Sequence, residues 1–307
     1  MLLVTLYKTF VLNALGLSFT LDEGTQTFDL NNYHNVLTLA NISRDIYDGN
    51  FPDFENKTTD ISHNSVKAYL LTTKENTFNI VAFKGTTPPF DTIGRHDKRN
   101  DNLFFSCCFY KETNGFGCNN KSQTNVFERT CNSSCYEQIT ENTETYYNIS
   151  VTIIEQLKNK VNFENTVFTG HSLGGAVAFL MGLRYNKPVV TFETPGLQHW
   201  VSLAKLKYNP NVLGNIYHYQ HNADTIATGK CQGSLSFCYL VGYIIETKCH
   251  LGNVCMYDVI NKLGIQESIF SHRIAYTIDN VITKWNNTLP KCEFQHNCTE
   301  CNEWKYF

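Results

Sequence analysis

Charge is scarce in this chain of 307 residues: Asp, Glu, Lys and Arg make up 17%. The signs nearly cancel, 25 basic residues against 28 acidic, for a net charge of −3. No basic stripe and no RNA-binding signature gathers the cations, so nucleic acid is not an expected partner. Long hydrophobic runs are lacking as well. Mean hydropathy is −0.28, and beyond the N-terminus no segment reaches spanning length, which excludes a polytopic membrane protein. There is no internal repeat, no low-complexity tract and no sign of a second independent core. What is present reads as globular. Hydrophobic residues reach 42% and aromatics 13%, with 17 Tyr and 21 Phe, enough for a sizeable core or an apolar cleft. The length fits one core of about 200–250 residues plus decorations.

The twelve cysteines fall into three groups: Cys107, Cys108, Cys118, Cys131 and Cys135; Cys231, Cys238, Cys249 and Cys255; Cys292, Cys298 and Cys301. An even number in polar, loop-like segments predicts disulfides formed in an oxidising compartment. Zinc is the competing use. Cys298-x-x-Cys301 could supply two ligands, but no second CxxC or HxxxH follows at finger spacing. Neither a metal nor a cofactor is expected. Seven N-x-S/T sequons begin at Asn41, Asn56, Asn120, Asn132, Asn148, Asn286 and Asn297. They fit export but add little, because the composition supplies nearly as many by chance. Met1 to Leu21 is mostly apolar and is broken by Lys8. Phe10 to Phe19 reads as the apolar stretch of a signal peptide, with Ala14-Leu15-Gly16 as its cleavage site. An uncleaved signal anchor and a buried N-terminal helix are the other readings.

Residues 78–83 predict a strand bounded by Lys84-Gly85. Residues 87–140 are polar, Cys-rich and irregular, and read as an insertion tied down by crosslinks. Residues 144–161 carry Ile149, Ile153, Ile154, Leu157 and Val161 at helical spacing. Thr166–Thr169 is a short strand, Ala176–Tyr185 an apolar helix, Val189–Phe192 a strand and Asn215–Gln220 another. Residues 272–286 place Ile274, Ile278, Val281, Ile282 and Trp285 on one helical face. Strands alternating with helices predict an α/β protein with a mostly parallel sheet. The expected organisation is a signal segment over 1–21, one α/β domain over 22–289 and a Cys-rich tail over 290–307.

The chemical signal is Gly170-His171-Ser172-Leu173-Gly174. It is a G-x-S-x-G between a strand and a helix, the context of a nucleophile elbow. A serine on so tight a turn needs small neighbours, and the helix that follows aims free N–H groups where an oxyanion would form. A serine nucleophile needs a base, and the base needs an orienting acid. In this architecture the order is Ser, acid, His. The acids that qualify are Glu193, Asp224, Glu246, Asp258 and Glu267, and the histidines are His250, His272 and His296. Asp224 sits in a loop just after the 215–220 strand, where a triad acid belongs. Asp258 reads as helical with no strand before it, and His250 as part of a crosslinked loop. His272 stands at the start of the last amphipathic helix. The expected triad is Ser172, Asp224 and His272. The expected oxyanion donors are Leu173, by its backbone N–H, and Thr86, at the strand end Phe83-Lys-Gly-Thr86. Pro88, Pro89 and Phe90 with Leu103-Phe104-Phe105 read as an apolar lid beside that loop, or else Phe104 and Phe105 as core.

With these residues the chain resembles the class 3 lipases: F-K-G-T at a strand end, G-H-S-L-G-G, an Asp after a late strand, and Ser271-His-Arg. Within that family it is most similar to the autophagy-related vacuolar lipases of fungi. Lys98-Arg-Asn-Asp-Asn-Leu-Phe-Phe-Ser-Cys-Cys108, Glu246-Thr-Lys-Cys-His-Leu-Gly252, Tyr257-Asp258, Lys262-Leu-Gly264 and Cys298-Thr-Glu-Cys-Asn-Glu-Trp304 carry the similarity over about residues 33–307. The resemblance implies an α/β-hydrolase fold and hydrolysis of phospholipid or triacylglycerol esters at a membrane or droplet surface. It further implies a vacuolar or lysosomal destination, and it supports Ser172, Asp224 and His272 as the triad. Two departures stand out: the family has a clear N-terminal anchor where this chain has Lys8, and Pro where it has Thr225. A non-catalytic lipase-like binding protein and an esterase for soluble esters are the alternative functions.

Overall fold

The computed structural model describes residues 10–11, 18–22, 25–54, 57–73, 78–87, 92–106, 130–131, 144–232, 235–300 and 305–306. Its centre is an eight-stranded sheet in which neighbours in sequence are neighbours in space. The strands are β1 (Thr58–Asp60), β2 (Ala68–Thr72), β3 (Asn79–Phe83), β4 (Thr166–His171), β5 (Val189–Phe192), β6 (Ile216–His221), β7 (Asn253–Tyr257) and β8 (Cys292–Phe294). From β3 to β7 every pairing is parallel. The β1–β2, β2–β3 and β7–β8 pairs are antiparallel.

Side chains alternate across a strand, so each face builds its own core. On β3, Val81 and Phe83 point to one face and Ile80 and Ala82 to the other. The first face is covered by α2 (Thr92–Phe105), α3 (Tyr146–Leu157) and α4 (Leu173–Tyr185), the second by α1 (Tyr33–Asp45) and α5 (Ile274–Asn280). Leu173 to Leu183 of α4 are all buried, as a helix apolar on every side must be. Asn32 caps α1, its side chain accepting from the N–H groups of His34 and Asn35. A mostly parallel sheet covered on both faces, with a strand–turn–helix at β4–α4, is the α/β-hydrolase fold.

Four expectations change. The insertion read as irregular over 87–140 contains α2, and Phe104 and Phe105 are fully buried, Phe104 edge-on to Trp200 at 5.3 Å between ring centroids. They belong to the core and not to a lid; Pro88, Pro89 and Phe90 lie outside the described residues. Asp258 does follow a strand, β7, and caps the turn of helix Val259–Leu263. The face expected over 272–286 is broken: α5 ends at Asn280, and Ile282–Lys284 is a separate 3-10 turn. The tail begins with an edge strand, β8, added to the sheet. Near the N-terminus, Phe10–Val11 and Ser18–Asp22 pair as antiparallel strands, while residues 1–9 and 12–17 of the expected signal segment lie outside the described residues. No described helix is long and apolar enough to cross a membrane.

Three disulfides are present among the described residues, Cys231–Cys238, Cys249–Cys298 and Cys255–Cys292. The last bolts β8 to β7 across 37 residues of sequence. A loop of that length predicts about 3–4 kcal/mol of stabilisation through the unfolded chain. Thiol counting on unreduced, denatured protein is expected to find six free thiols at most; eight or more would contradict the oxidised framework.

Candidate active site

β4 ends at His171 and α4 begins at Leu173, so the chain reverses on a single residue, Ser172. Its backbone is left-handed, φ +54° and ψ −124°, a conformation that costs a non-glycine residue free energy and clusters at functional sites. Close approach explains the flanking glycines. A Cβ on Gly170 would lie 2.4 Å from the carbonyl carbon of Gly174, and one on Gly174 would lie 2.1 Å from the Phe83 carbonyl oxygen. The turn is held by Ser172 N–H donating to the Phe192 carbonyl at 3.0 Å.

Ser172 Oγ lies 2.8 Å from His272 Nε2, and His272 Nδ1 lies 2.6 Å from Asp224 Oδ2. Asp224 is fully buried, and its other oxygen accepts from Ile226 N–H at 2.8 Å. Burial alone would raise the Asp224 carboxyl, but the adjacent His272 draws it below its usual value. The two loops that carry the pair are laced together. Ser268 N–H donates to the Ala223 carbonyl at 3.0 Å, and Ser271 Oγ donates to the same oxygen at 3.0 Å. His171 holds His272 in place: its Nε2–H donates to the His272 carbonyl at 2.7 Å, and Tyr47 OH donates to its Nδ1 at 2.9 Å. Burial, then the neighbouring His272, lowers the His171 pKa to about 3, so this ring is a neutral spacer.

Thr86 is part of the wall of the cleft that Ser172 and His272 also line. Its hydroxyl donates to Asp101 Oδ2 at 2.7 Å, and Thr87 N–H donates to Asp97 Oδ2 at 2.7 Å. Both acids come from α2, and Tyr146 OH and Lys84 Nζ meet Asp97 at 2.5 and 3.6 Å. Burial pushes the Asp101 carboxyl well above its usual range, against the pull of the Thr86 bond. Leu173 opens α4, so its N–H is one of those that a helix leaves without an intrahelical partner. The cleft holds about 420 Å³ and its walls are mostly apolar, among them Phe105, Pro195, Ile226, Phe237, Val241 and Ile269.

All eight residues singled out from the sequence, Ser172, Asp224, His272, Thr86, Leu173, Gly170, His171 and Gly174, meet at this one end of the sheet. The rival acids are elsewhere or differently engaged. Asp258 is bonded by Asn222 Nδ2 at 2.6 Å and Glu267 pairs with Lys230 at the surface, while Glu193 is buried behind Asp224. Among the rival bases, the His250 ring packs tilted against His218 at 4.4 Å and the His296 ring against Phe294 at 4.7 Å between centroids. Sequence reasoning missed Tyr47, Asp97 and Asp101. Asp97 and Asp101 are spaced i, i+4, one helical face, a signal visible only if α2 is recognised as a helix.

Residues 80–228 match the family Lipase (class 3). The chain is 31% identical to the ATG15 protein of Lodderomyces elongisporus, assigned as a lipase, with 96% of this chain and 59% of that protein covered. It is 34% identical to ATG15 of Candida glabrata, covering 92% and 59%, and 38% identical to ATG15 of Saccharomyces cerevisiae, covering 70% and 41%. The chain thus spans about 59% of the length of the first two relatives. Among solved structures, Lip2 lipase of Yarrowia lipolytica is 20% identical with a TM-score of 0.40, covering 75% of this chain and 80% of that one. The Rhizomucor miehei lipase propeptide complex is 13% identical with a TM-score of 0.41, covering 80% and 74%.

Proposed function

The chain belongs to the class 3 lipase family, and from that premise we propose that it is a serine hydrolase of lipid esters working through Ser172, His272 and Asp224. The observation that carries this reading is the unbroken chain of hydrogen bonds from Ser172 Oγ to His272 to Asp224, at 2.8 and 2.6 Å, in the wall of an apolar cleft. Ser172 Oγ attacks the ester carbonyl as His272 Nε2 takes its proton. Asp224 keeps the other proton on Nδ1 and stabilises the imidazolium. The N–H groups of Leu173 and Thr86 receive the oxyanion, and Asp101 fixes the Thr86 hydroxyl beside it. His272 returns the proton to the leaving alkoxide, and water then releases the acyl group by the same route.

The substrate reading is a phospholipid or triacylglycerol at an interface, in membranes delivered to a vacuole or lysosome. The destination comes from the family resemblance, and the disulfides support an oxidising lumen. The rim of the cleft supports an interface. Leu235, Phe237, Leu240 and Phe270 are 91%, 56%, 72% and 65% exposed, and Phe237 also lines the cleft. Cys231–Cys238 closes the loop that carries Leu235 and Phe237. Single exposed apolar residues are ordinary; a group at the mouth of an apolar cleft marks a docking face.

The test compares short-chain soluble esters with phospholipid vesicles and triolein emulsions. Leu235→Asp/Leu240→Asp is expected to lower vesicle or emulsion hydrolysis at least tenfold, because inserting one leucine contributes about 1.5–3 kcal/mol. Soluble-ester turnover should hold. Activity on monomeric esters with none on vesicles or emulsions would make the protein an ordinary esterase.

A further inference from the structure

A second acid stands behind the triad, and the reaction as written does not use it. Glu193 directly follows β5, is fully buried and has φ +47°. The other non-glycine residues with positive φ among the described residues are four exposed or turn asparagines, Lys205 on the surface, and Ser172. The two that are buried therefore end adjacent strands of the sheet, β4 and β5, and both reach the same site. Strain held at such a place points to use.

The surroundings of the Glu193 carboxyl are specific. Oε2 accepts from His221 N–H at 3.3 Å, and Oε1 accepts from Thr277 Oγ1 at 3.5 Å. Asp224 is tied to His221 as well, its N–H donating to the His221 carbonyl at 3.2 Å, and the two fully buried carboxyls act on each other. An ion pair is the first explanation to try, since His221 Nε2 is 3.8 Å from Oε1. It fails on the geometry of that ring. Nε2–H donates to the Ser271 carbonyl at 3.1 Å, and Nδ1 is buried without a partner. A second proton on Nδ1 would bury an unpaired donor, so His221 is a neutral imidazole. The other ionisable groups facing this cluster are His272, His171 below it on β4 and Tyr257 from β7. Burial keeps His171 and Tyr257 neutral, and His272 is already engaged by Asp224 through Nδ1. Two ionised carboxylates in contact, both out of water, have nothing here to balance them.

We propose that Glu193 is a positioning residue of the hydrolase: a carboxylic acid kept protonated, whose O–H donates to Asp224 and locks that carboxylate as acceptor for His272 Nδ1–H. The inference rests on the triad reading of Ser172, His272 and Asp224. Burial first, and the Asp224 charge second, push the Glu193 carboxyl well above its usual range, in accord with the geometry. The donated bond also spreads the charge of Asp224. A less concentrated counter-charge favours the imidazolium less, so the base stays available to lower pH.

The experiment measures kcat/KM against pH on a soluble short-chain ester for wild type, Glu193→Gln and Glu193→Ala, with melting temperatures alongside. Glu193→Gln keeps the volume and a neutral N–H donor. It is expected to stay within about threefold of wild type with its acid limb unmoved. Glu193→Ala removes the donor, and is expected to lose about 10–100-fold and to move the acid limb up by about one pH unit. Infrared spectra should show a protonated-carboxyl band at neutral pH that Glu193→Gln removes. An ionised Glu193 predicts the opposite: no such band, and an acid limb that moves down in Glu193→Gln as a negative charge is lost. That result overturns the proposal, as does a folded Glu193→Ala protein with the wild-type rate and profile. The infrared arm reads Glu193 without turnover, so it stands if the triad reading fails; that failure would show instead as wild-type protein that no fluorophosphonate labels at Ser172.

Discussion

Ser172→Ala is expected to lower kcat for ester hydrolysis by about 10⁵–10⁶-fold while the protein folds as before. The loss is large because the acyl-enzyme route needs the hydroxyl itself. What remains without it is binding and oxyanion stabilisation, which still accelerate attack by water. Folding should hold for a local reason. The elbow is shaped by its backbone bonds, Ser172 N–H to the Phe192 carbonyl at 3.0 Å and Ala176 N–H to the Ser172 carbonyl at 3.0 Å. Alanine carries the same Cβ into the same left-handed conformation, so no new strain arises. The measurement pairs rates on a soluble ester with fluorophosphonate labelling and a melting curve. Substantial turnover by folded Ser172→Ala protein would remove this mechanism.

The elbow was legible because its glycines answer to close backbone contacts, which leave a spacing in the sequence. Strand–helix alternation was legible for the same kind of reason: β3 and β5 are short, mostly apolar runs bounded by turns. α2 was not, and its burial explains why. Its inward residues include Asp97, Asn100, Asp101 and Asn102, all buried. They face inward to bond the site and its supports: Asp101 holds Thr86, Asn100 Oδ1 accepts from Tyr146 N–H, and Asn102 Oδ1 accepts from Ile244 N–H. A helix whose working face is polar inverts the pattern that hydrophobic periodicity detects. The apolar rim fails in the opposite direction. Nothing in the sequence marks Leu235, Phe237 and Leu240 as exposed, and only the tertiary structure leaves them in water. The strand before Asp258 was hidden in Asn253–Tyr257, where two of five residues are only half-buried at the sheet's margin.

That missed strand matters for the choice of acid, since it removes one argument against Asp258 and leaves geometry to decide. Asp224→Asn is expected to lower kcat by about 10⁴-fold, and Asp258→Asn to leave it nearly unchanged. The hydrogen bonds around Asp224 dictate the outcome. Its Oδ1 accepts from Ile226 N–H at 2.8 Å, so the asparagine must keep its carbonyl oxygen there. The NH₂ group then points at His272 Nδ1 and forces that nitrogen to accept. The ring proton moves to Nε2, facing Ser172 Oγ, and the base loses the lone pair that it needs. Asp258 works as a helix cap, bonded by Asn222 Nδ2 at 2.6 Å and by Asn261 N–H at 3.4 Å. Asparagine caps about as well as aspartate, so the melting temperature should move little. Steady-state rates of the two variants on one soluble ester decide the matter: a larger loss in Asp258→Asn than in Asp224→Asn would transfer the role to the acid after β7.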